Sequence, residues 1–182
     1  MTAVDGTGAA GTSAAEALAE RLFAATLGAS ELQAVYLGDR LGWYRALSDH
    51  GPLTSTELAD RTGTVERYAR EWLEQQAVAG YVDVNSDADR RYSLPQAHAD
   101  VLVDDENLLF LAPLARLFVA TTSSMPRLLD AYRHGGGVTW ESMGPDAREG
   151  QALLNRPMYL HQLCQQFLPV VTDLHATLSD GG

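Results

Sequence analysis

Residues 52–95 constrain this fold more than any other stretch. Gly51-Pro52 breaks the chain. Thr54 and Glu57 then form a capping box, in which each side chain satisfies an unpaired backbone amide of the first helical turn. That helix should end at Gly63, with Thr64 placed to cap the next. Val65, Tyr68, Ala69, Trp72, Leu73 and Ala77 recur at the i, i+3, i+4 spacing of a core-facing stripe. Gly80 stops it. Two short β-prone runs follow, residues 81–84 and 91–94, joined by the turn-rich NSDADR. Helix, turn, helix, hairpin is the order of a winged helix. The segments before and after it read as helical. The expected class is therefore mainly α, a winged helix-turn-helix with a short β-hairpin plus an all-helical extension.

A winged helix usually implies DNA, so its charges decide the matter. Residues 52–95 carry Arg61, Arg67, Arg70, Arg90 and Arg91 against eight acidic residues, a net of -3. On the second helix, where base contacts would be made, Arg67 lies four residues from Glu71, and Arg70 four from Glu66. That spacing predicts surface ion pairs. The wing carries Asp83, Asp87 and Asp89, which would face phosphates. The whole chain stands at -11, and all 13 of its basic residues are arginine. Affinity for nucleic acid comes mainly from clustered cations, so this balance argues against such a partner.

Residues 1–12, MTAVDGTGAAGT, are small and polar and read as a disordered tail without signal-peptide character. Residues 13–50 are N-terminal helices. Ser13 with Glu16 forms a capping box, and Gly28 is the expected stop. The apolar stripe of that first helix is narrow, so it needs a partner surface on its own chain or on a second copy. Ser30 with Gln33 is a further box, opening a helix whose apolar face holds Leu32, Val35, Tyr36, Leu41 and Tyr44. Gly38 and Gly42 sit four apart, where another backbone or ordinary packing would fit. Residues 51–95 are the winged unit and residues 96–182 a helical segment. Within that segment, residues 108–121 are apolar on nearly every side and read as a buried core helix. They carry Pro113 and Arg116 and fall short of the roughly 20 apolar residues of a membrane span. Asp104, Asp105 and Glu106 read as a solvated corner before it. Ser124 and Pro126 start another helix, and Pro169 a last one. Cys164 is the only cysteine, which points to a reducing, cytoplasmic compartment.

The stretch most suited to touch a small molecule is residues 135–166, GGGVTWESMGPDAREGQALLNRPMYLHQLCQQ. Gly135, Gly136 and Gly137 leave backbone open to close approach. Trp140 and a Gly-Pro turn follow, and then a long helical pattern. Asn155, Arg156, Tyr159 and His161 crowd around Pro157, where the helix should kink or restart near Arg156. A structural hinge would give the same pattern. No glycine-rich phosphate loop follows a strand. His161 and Cys164 alone share metal spacing, two ligands without a third, so no metal site is expected. Cys164 reads as a small buried hydrophobe. No catalytic arrangement can be singled out.

Several segments resemble one family: STELADRTGTVERYAREWLEQQAVAGYV, the wing ending RYSLP, GGGVTWESMGPDAREGQALLNRPMYLHQL, and LPVVTDLHATLS. They look like the N-terminal portion of bacterial class I SAM-dependent methyltransferases that begin with a winged-helix and dimerisation domain. LLNRPMYL is also similar to the F-N-x-x-M helix of plant-type O-methyltransferases, with Leu154 in place of the aromatic. The resemblance implies a homodimer that roofs a pocket for a small-molecule acceptor, ahead of a Rossmann-like domain that holds S-adenosylmethionine. It places Asn155 and Met158 near donor or acceptor, with Gly136, Gly137 and Trp140 closing over them and Arg156, Tyr159 and His161 alongside. In the family a D-x-G-x-G-x-G motif follows this last helix, and residues 1–182 do not contain it. The chain alone is therefore expected to bind no cofactor and to be catalytically incomplete. The alternatives are a stand-alone winged-helix transcriptional regulator and an interaction module.

Overall fold

The computed structural model describes residues 13–181, so the N-terminal tail lies outside the described residues. The chain divides into two compact units, with the boundary between Glu31 and Leu32. Helix α1, Ala14–Arg40, opens on its expected capping box. The Glu16 amide donates to Ser13 Oγ at 3.2 Å, and the Ser13 amide to Glu16 Oε2 at 2.7 Å. Those hydrogen bonds from Ser13 hold the Glu16 carboxyl below its ordinary range.

Gly28 does not stop this helix, and Ser30 does not cap another. The helix runs straight through both, and Ser30 Oγ donates back to the Thr26 carbonyl at 3.0 Å. A glycine inside a helix costs only about 1 kcal/mol against alanine. A surrounding run of Ala, Leu and Glu outweighs that. The true stop is Gly42, at φ 70° in the left-handed region, and it separates α1 from α2, Trp43–His50. Leu41 and Tyr44, expected on one helix, fall on either side of this turn.

The winged unit follows its sequence closely. Helix α3, Ser55–Thr62, carries both halves of the Thr54–Glu57 box and ends on left-handed Gly63. Helix α4, Glu66–Val78, has Val65 rather than Thr64 at its cap. Thr64 Oγ1 instead accepts from Trp43 Nε1 at 3.2 Å, shared with Thr62. Strands β1, Asp83–Val84, and β2, Tyr92–Ser93, pair antiparallel, with Leu53 bridging to Tyr92. Arg91 grips Glu57 through two bonds of 2.9 and 3.2 Å, tying the wing to α3. The Thr54 amide and then Arg91 hold the Glu57 carboxyl below its ordinary range.

At the centre of this unit lies an aromatic cluster. Trp72 packs on Trp43 and Tyr44 with ring centroids 4.8 and 5.0 Å apart. Gly38 is the close-approach glycine, but it admits these rings rather than a backbone. A methyl there would meet Trp72 and lie 2.6 Å from Tyr44 Cε2. The helical period also hid a polar residue. Gln76 is fully buried and accepts from the Tyr44 hydroxyl, whose pKa burial pushes far up, so it stays a neutral donor. Val65 and Tyr68, expected in the core, are 61% and 64% exposed.

Helices α5, Gln96–Leu102, α6, Pro113–Ser123, and α7, Met125–His134, continue the chain. Residues 108–121 are not the buried core helix expected: Pro113 begins α6, and Leu108, Leu109, Leu111 and Leu114 are exposed. Proline fits the first helical turn because its missing amide leaves no bond unmade there. A short 3-10 turn, Glu141–Met143, precedes α8, Pro145–Met158. Helices α6 and α8 pack closely over Ala115, Ala147 and Gly150. A methyl on Gly150 would lie 3.2 Å from the Pro113 carbonyl. The helix does not break at Arg156. It passes through buried Pro157, becomes a π-helix over Tyr159–Phe167, and then a 3-10 turn, Leu168–Val170. Pro169 sits in that turn, and α9 begins later, Thr172–Ser179.

Candidate functional site

Two groups of polar residues meet on unit 2, and neither is simply the predicted pocket. The first ties α1 to α6 and α8. Arg116 binds Asp39 through two guanidinium nitrogens, with both side chains largely buried at 14% and 13% exposure. That pairing raises the Arg116 pKa and keeps it charged. Tyr36 donates to Asp146 Oδ2 at 2.7 Å, which pushes the phenol pKa up. Asp146 Oδ1 is buried with no hydrogen-bond partner and faces Arg40 Nε at 3.7 Å. A cavity of about 240 Å³ opens beside this network, bounded by Gly38, Tyr44, Arg45, Phe110, Arg116 and Leu153. Its cations are already engaged, since Arg45 donates to the Val103 carbonyl at 2.8 Å. The arrangement locks helices together more than it offers a ligand free charge.

The second group lies at the predicted polar kink. Arg156 reaches Glu106 at 2.9 Å and Asp105 at 3.6 Å, and His161 Nε2 contacts the Glu106 carbonyl at 2.8 Å. The acidic corner at 104–106 is thus held by two candidate residues rather than left to water. Asn155 Oδ1 accepts from Gln151 Nε2 at 3.1 Å. Met158 is half-buried and Tyr159 is 51% exposed. Gly136 and Gly137 have open space where a Cβ would stand, and Trp140 is 48% exposed beside the 3-10 turn. None of these eight residues lines the 240 Å³ cavity or the two larger grooves of about 580 and 590 Å³.

Cys164 is exposed on the π-helix, correcting the buried assignment. A π-helix bonds i to i+5 and winds more loosely than an α-helix, so helical spacing misjudges which of its residues face inward. Among the described residues no cluster of three or more His, Cys, Asp or Glu is placed to hold a metal. A methyl donor needs a glycine turn after a strand. Neither described strand is followed by one: β1 leads into Asn85 and the acidic wing, β2 into Leu94 and Pro95.

Large apolar side chains crowd the surface beyond α6. Helix α7 has no buried residue, and Leu129 and Tyr132 are 56% and 84% exposed. Leu160, Phe167, Val170, Val171, Leu174 and Leu178 are exposed as well. Large exposed apolar patches mark interaction sites in soluble proteins. The sequence reading assigned these residues to helices without saying which of their faces would be covered.

The face of α4 that would enter DNA is ion-paired and partly apolar. Arg67 binds Glu71 at 3.0 Å, Arg70 faces Glu66 at 3.7 Å, Arg90 binds Glu74 at 3.1 Å, and Arg91 binds Glu57 at 2.9 Å. Four of the unit's five arginines are thus engaged. In a low-salt mobility-shift series the chain is expected to show no sequence-dependent binding tighter than about micromolar, where specific readers reach roughly 10⁻⁸ M or below. A sequence-dependent shift at nanomolar protein would overturn that.

Residues 29–104 match the model of the Rv2258c-like winged HTH domain. The chain is similar to the solved mitomycin 7-O-methyltransferase MmcR, at 25% identity and a TM-score of 0.61 over 84% of this chain and 48% of that one. It shares its fold with human N-acetylserotonin methyltransferase in complex with SAM, at 19% identity and 0.55 over 84% and 43% of the chains. PigF with SAH also shares it, at 16% identity and 0.55 over 90% and 55%. The chain spans about half the length of these structures. No curated protein sequence matches it.

Proposed function

We propose, from a chain whose residues 29–104 form an Rv2258c-like winged HTH domain, that it is the dimerising and substrate-enclosing front portion of a SAM-dependent methyltransferase. The observation that carries this reading is the match of 84% of the chain to 48% of mitomycin 7-O-methyltransferase. The bare apolar surface of α7 and of residues 159–178 supports it, as the face against which a donor-binding domain would pack. Residues 13–50 would serve dimerisation, residues 51–95 would be the winged unit, and residues 96–182 would lead to the donor domain. The contribution of this portion is positioning and water exclusion rather than proton transfer. Gly136, Gly137, Trp140, Asn155, Met158 and Tyr159 would border the acceptor, and Arg156 and His161 would fix the corner beside them. A reducing cytoplasmic compartment suits the single cysteine.

Two measurements test this reading together. Light scattering should give twice the chain mass of 19.7 kDa, and deleting residues 1–29 should lower it. Titration calorimetry at millimolar S-adenosylmethionine should show no binding to this chain by itself. A well-folded monomer that is indifferent to the deletion, or saturable donor binding, would contradict it.

A further inference from the structure

Beyond Pro157 the chain loses its support on the body. Proline has no amide to donate to the carbonyl four residues back. The π-helix that follows, Tyr159–Phe167, winds more loosely than an α-helix. None of residues 159–181 is buried. Such junctions are where helices bend. Yet two tethers straddle this one, and both reach the same residue. Arg156, just before the proline, binds the Glu106 carboxylate at 2.9 Å and faces Asp105 at 3.6 Å. His161, four residues after it, meets the Glu106 backbone carbonyl at 2.8 Å. A carbonyl only accepts, so His161 Nε2 carries the donated proton. Among the described residues, no other side-chain hydrogen bond joins residues 159–181 to the chain before α8. The corner they grip is stiff. The Asp104 amide donates to the Ala99 carbonyl at 3.0 Å, and the Glu106 amide to Asp104 Oδ1 at 3.1 Å. Buried Val103 and Phe110 anchor it on either side.

We propose that this corner is a clamp: Glu106 holds Arg156 and His161 across a hinge at Pro157 and fixes the direction in which residues 159–181 leave the body. Arg156 and His161 are then positioning residues. Packing does not set that direction, because no described side chain beyond Pro157 is buried. One tether alone would leave a pivot about its own bond. Two that grip a single residue from both sides of the weak point remove the rotation. The clamp can also release. Exposed ion pairs hold weakly and are screened by salt, and the Arg156, Asp105 and Glu106 side chains are 43, 43 and 60% exposed. Closed, it presents the apolar side chains of residues 159–178 in one fixed orientation. That these side chains meet a donor-binding domain rests on the reading above, whereas the clamp itself does not.

The test reads that direction as a spin-label distance in the full chain. One label sits on native Cys164, exposed on the π-helix, and the other on Val78→Cys, exposed at the end of α4. Excess unlabelled chain of the same kind removes any signal between copies. With the clamp intact, a single narrow distance distribution is expected at low salt. Adding Arg156→Ala and His161→Ala should at least double its width. Raising salt to about 1 M, where screening shortens to about 3 Å, should broaden it partway. Circular dichroism should show the same helical content throughout. An unchanged width in the Arg156→Ala, His161→Ala chain, an intact chain already as broad, or a width indifferent to salt would overturn the proposal. So would a loss of helical signal with those substitutions, which would make the tethers props of the helix rather than a clamp. The labels read this chain by itself, so a failed clamp leaves the methyltransferase reading standing. A longer chain without turnover would likewise leave the clamp standing.

Discussion

Trp72→Ala should lower unfolding stability by about 3–5 kcal/mol, the usual cost of deleting a large aromatic from a packed site. Trp72 is 6% exposed, touches two other aromatic rings, and donates from Nε1 to the Ala34 carbonyl at 2.8 Å. Truncation removes the packing and leaves that carbonyl to find another donor. For a chain of this size each kcal/mol moves Tm by about 2–4 °C, so the loss should be about 6–20 °C by calorimetry. A shift below about 2 °C would mean that the aromatic cluster does not organise the winged unit. The same cluster explains Gly38, because the rings occupy the space a side chain would need.

The second large effect concerns Asp39. Asp39→Ala should cost about 3 kcal/mol, the lower end for breaking a buried pair, because it leaves the largely buried Arg116 guanidinium only the more exposed Glu149 carboxylate at 3.5 Å. Replacing both partners by apolar residues of similar size, Asp39→Leu with Arg116→Met, should recover most of that loss. Chemical denaturation of the single and double variants separates the two outcomes. If the double variant is as unstable as Asp39→Ala, the pair matters through something other than an uncompensated charge.

Local chemistry made much of this fold legible. Capping boxes at Ser13 and Thr54, the stop at Gly63, the hairpin and the two i, i+4 ion pairs on α4 all depend on a few neighbouring residues, and all appear as expected. The errors arose where a local signal competed with its surroundings. Gly28 and Ser30 looked like a stop and a start, but one glycine does not outweigh 27 residues of helix-forming sequence. Thr64 looked like a cap, but Trp43 holds its hydroxyl.

Apolar residues were a different problem. Periodicity puts Val65 and Tyr68 on one helical face, and an apolar run marks Leu108, but neither says whether those side chains meet their own chain or another body. That is why the sequence called them core and the structure leaves them exposed. At the candidate site, the glycines, Trp140 and Pro157 among polar neighbours singled out residues 135–166, and the resemblance then pointed to Asn155 and Met158 within it. The proline signal located Arg156 and His161, whose partner, the 104–106 corner, lies some 50 residues away and gave no local sign. The Asp39–Arg116 pair spans 77 residues and gave none either.

The central claim is that residues 13–182 enclose an acceptor for a donor-binding domain, and turnover tests it most directly. A chain that continues beyond residue 182 into a donor-binding methyltransferase domain should transfer a methyl group from S-adenosylmethionine. In that chain Trp140→Ala and Met158→Ala should each reduce turnover at least tenfold. Trp140 is 48% exposed, so its truncation should change stability by no more than about 0.5 kcal/mol. The account expects a rate loss without a matching melting shift. It would be contradicted if the donor domain turned over equally well without residues 13–182, or if both variants kept full turnover.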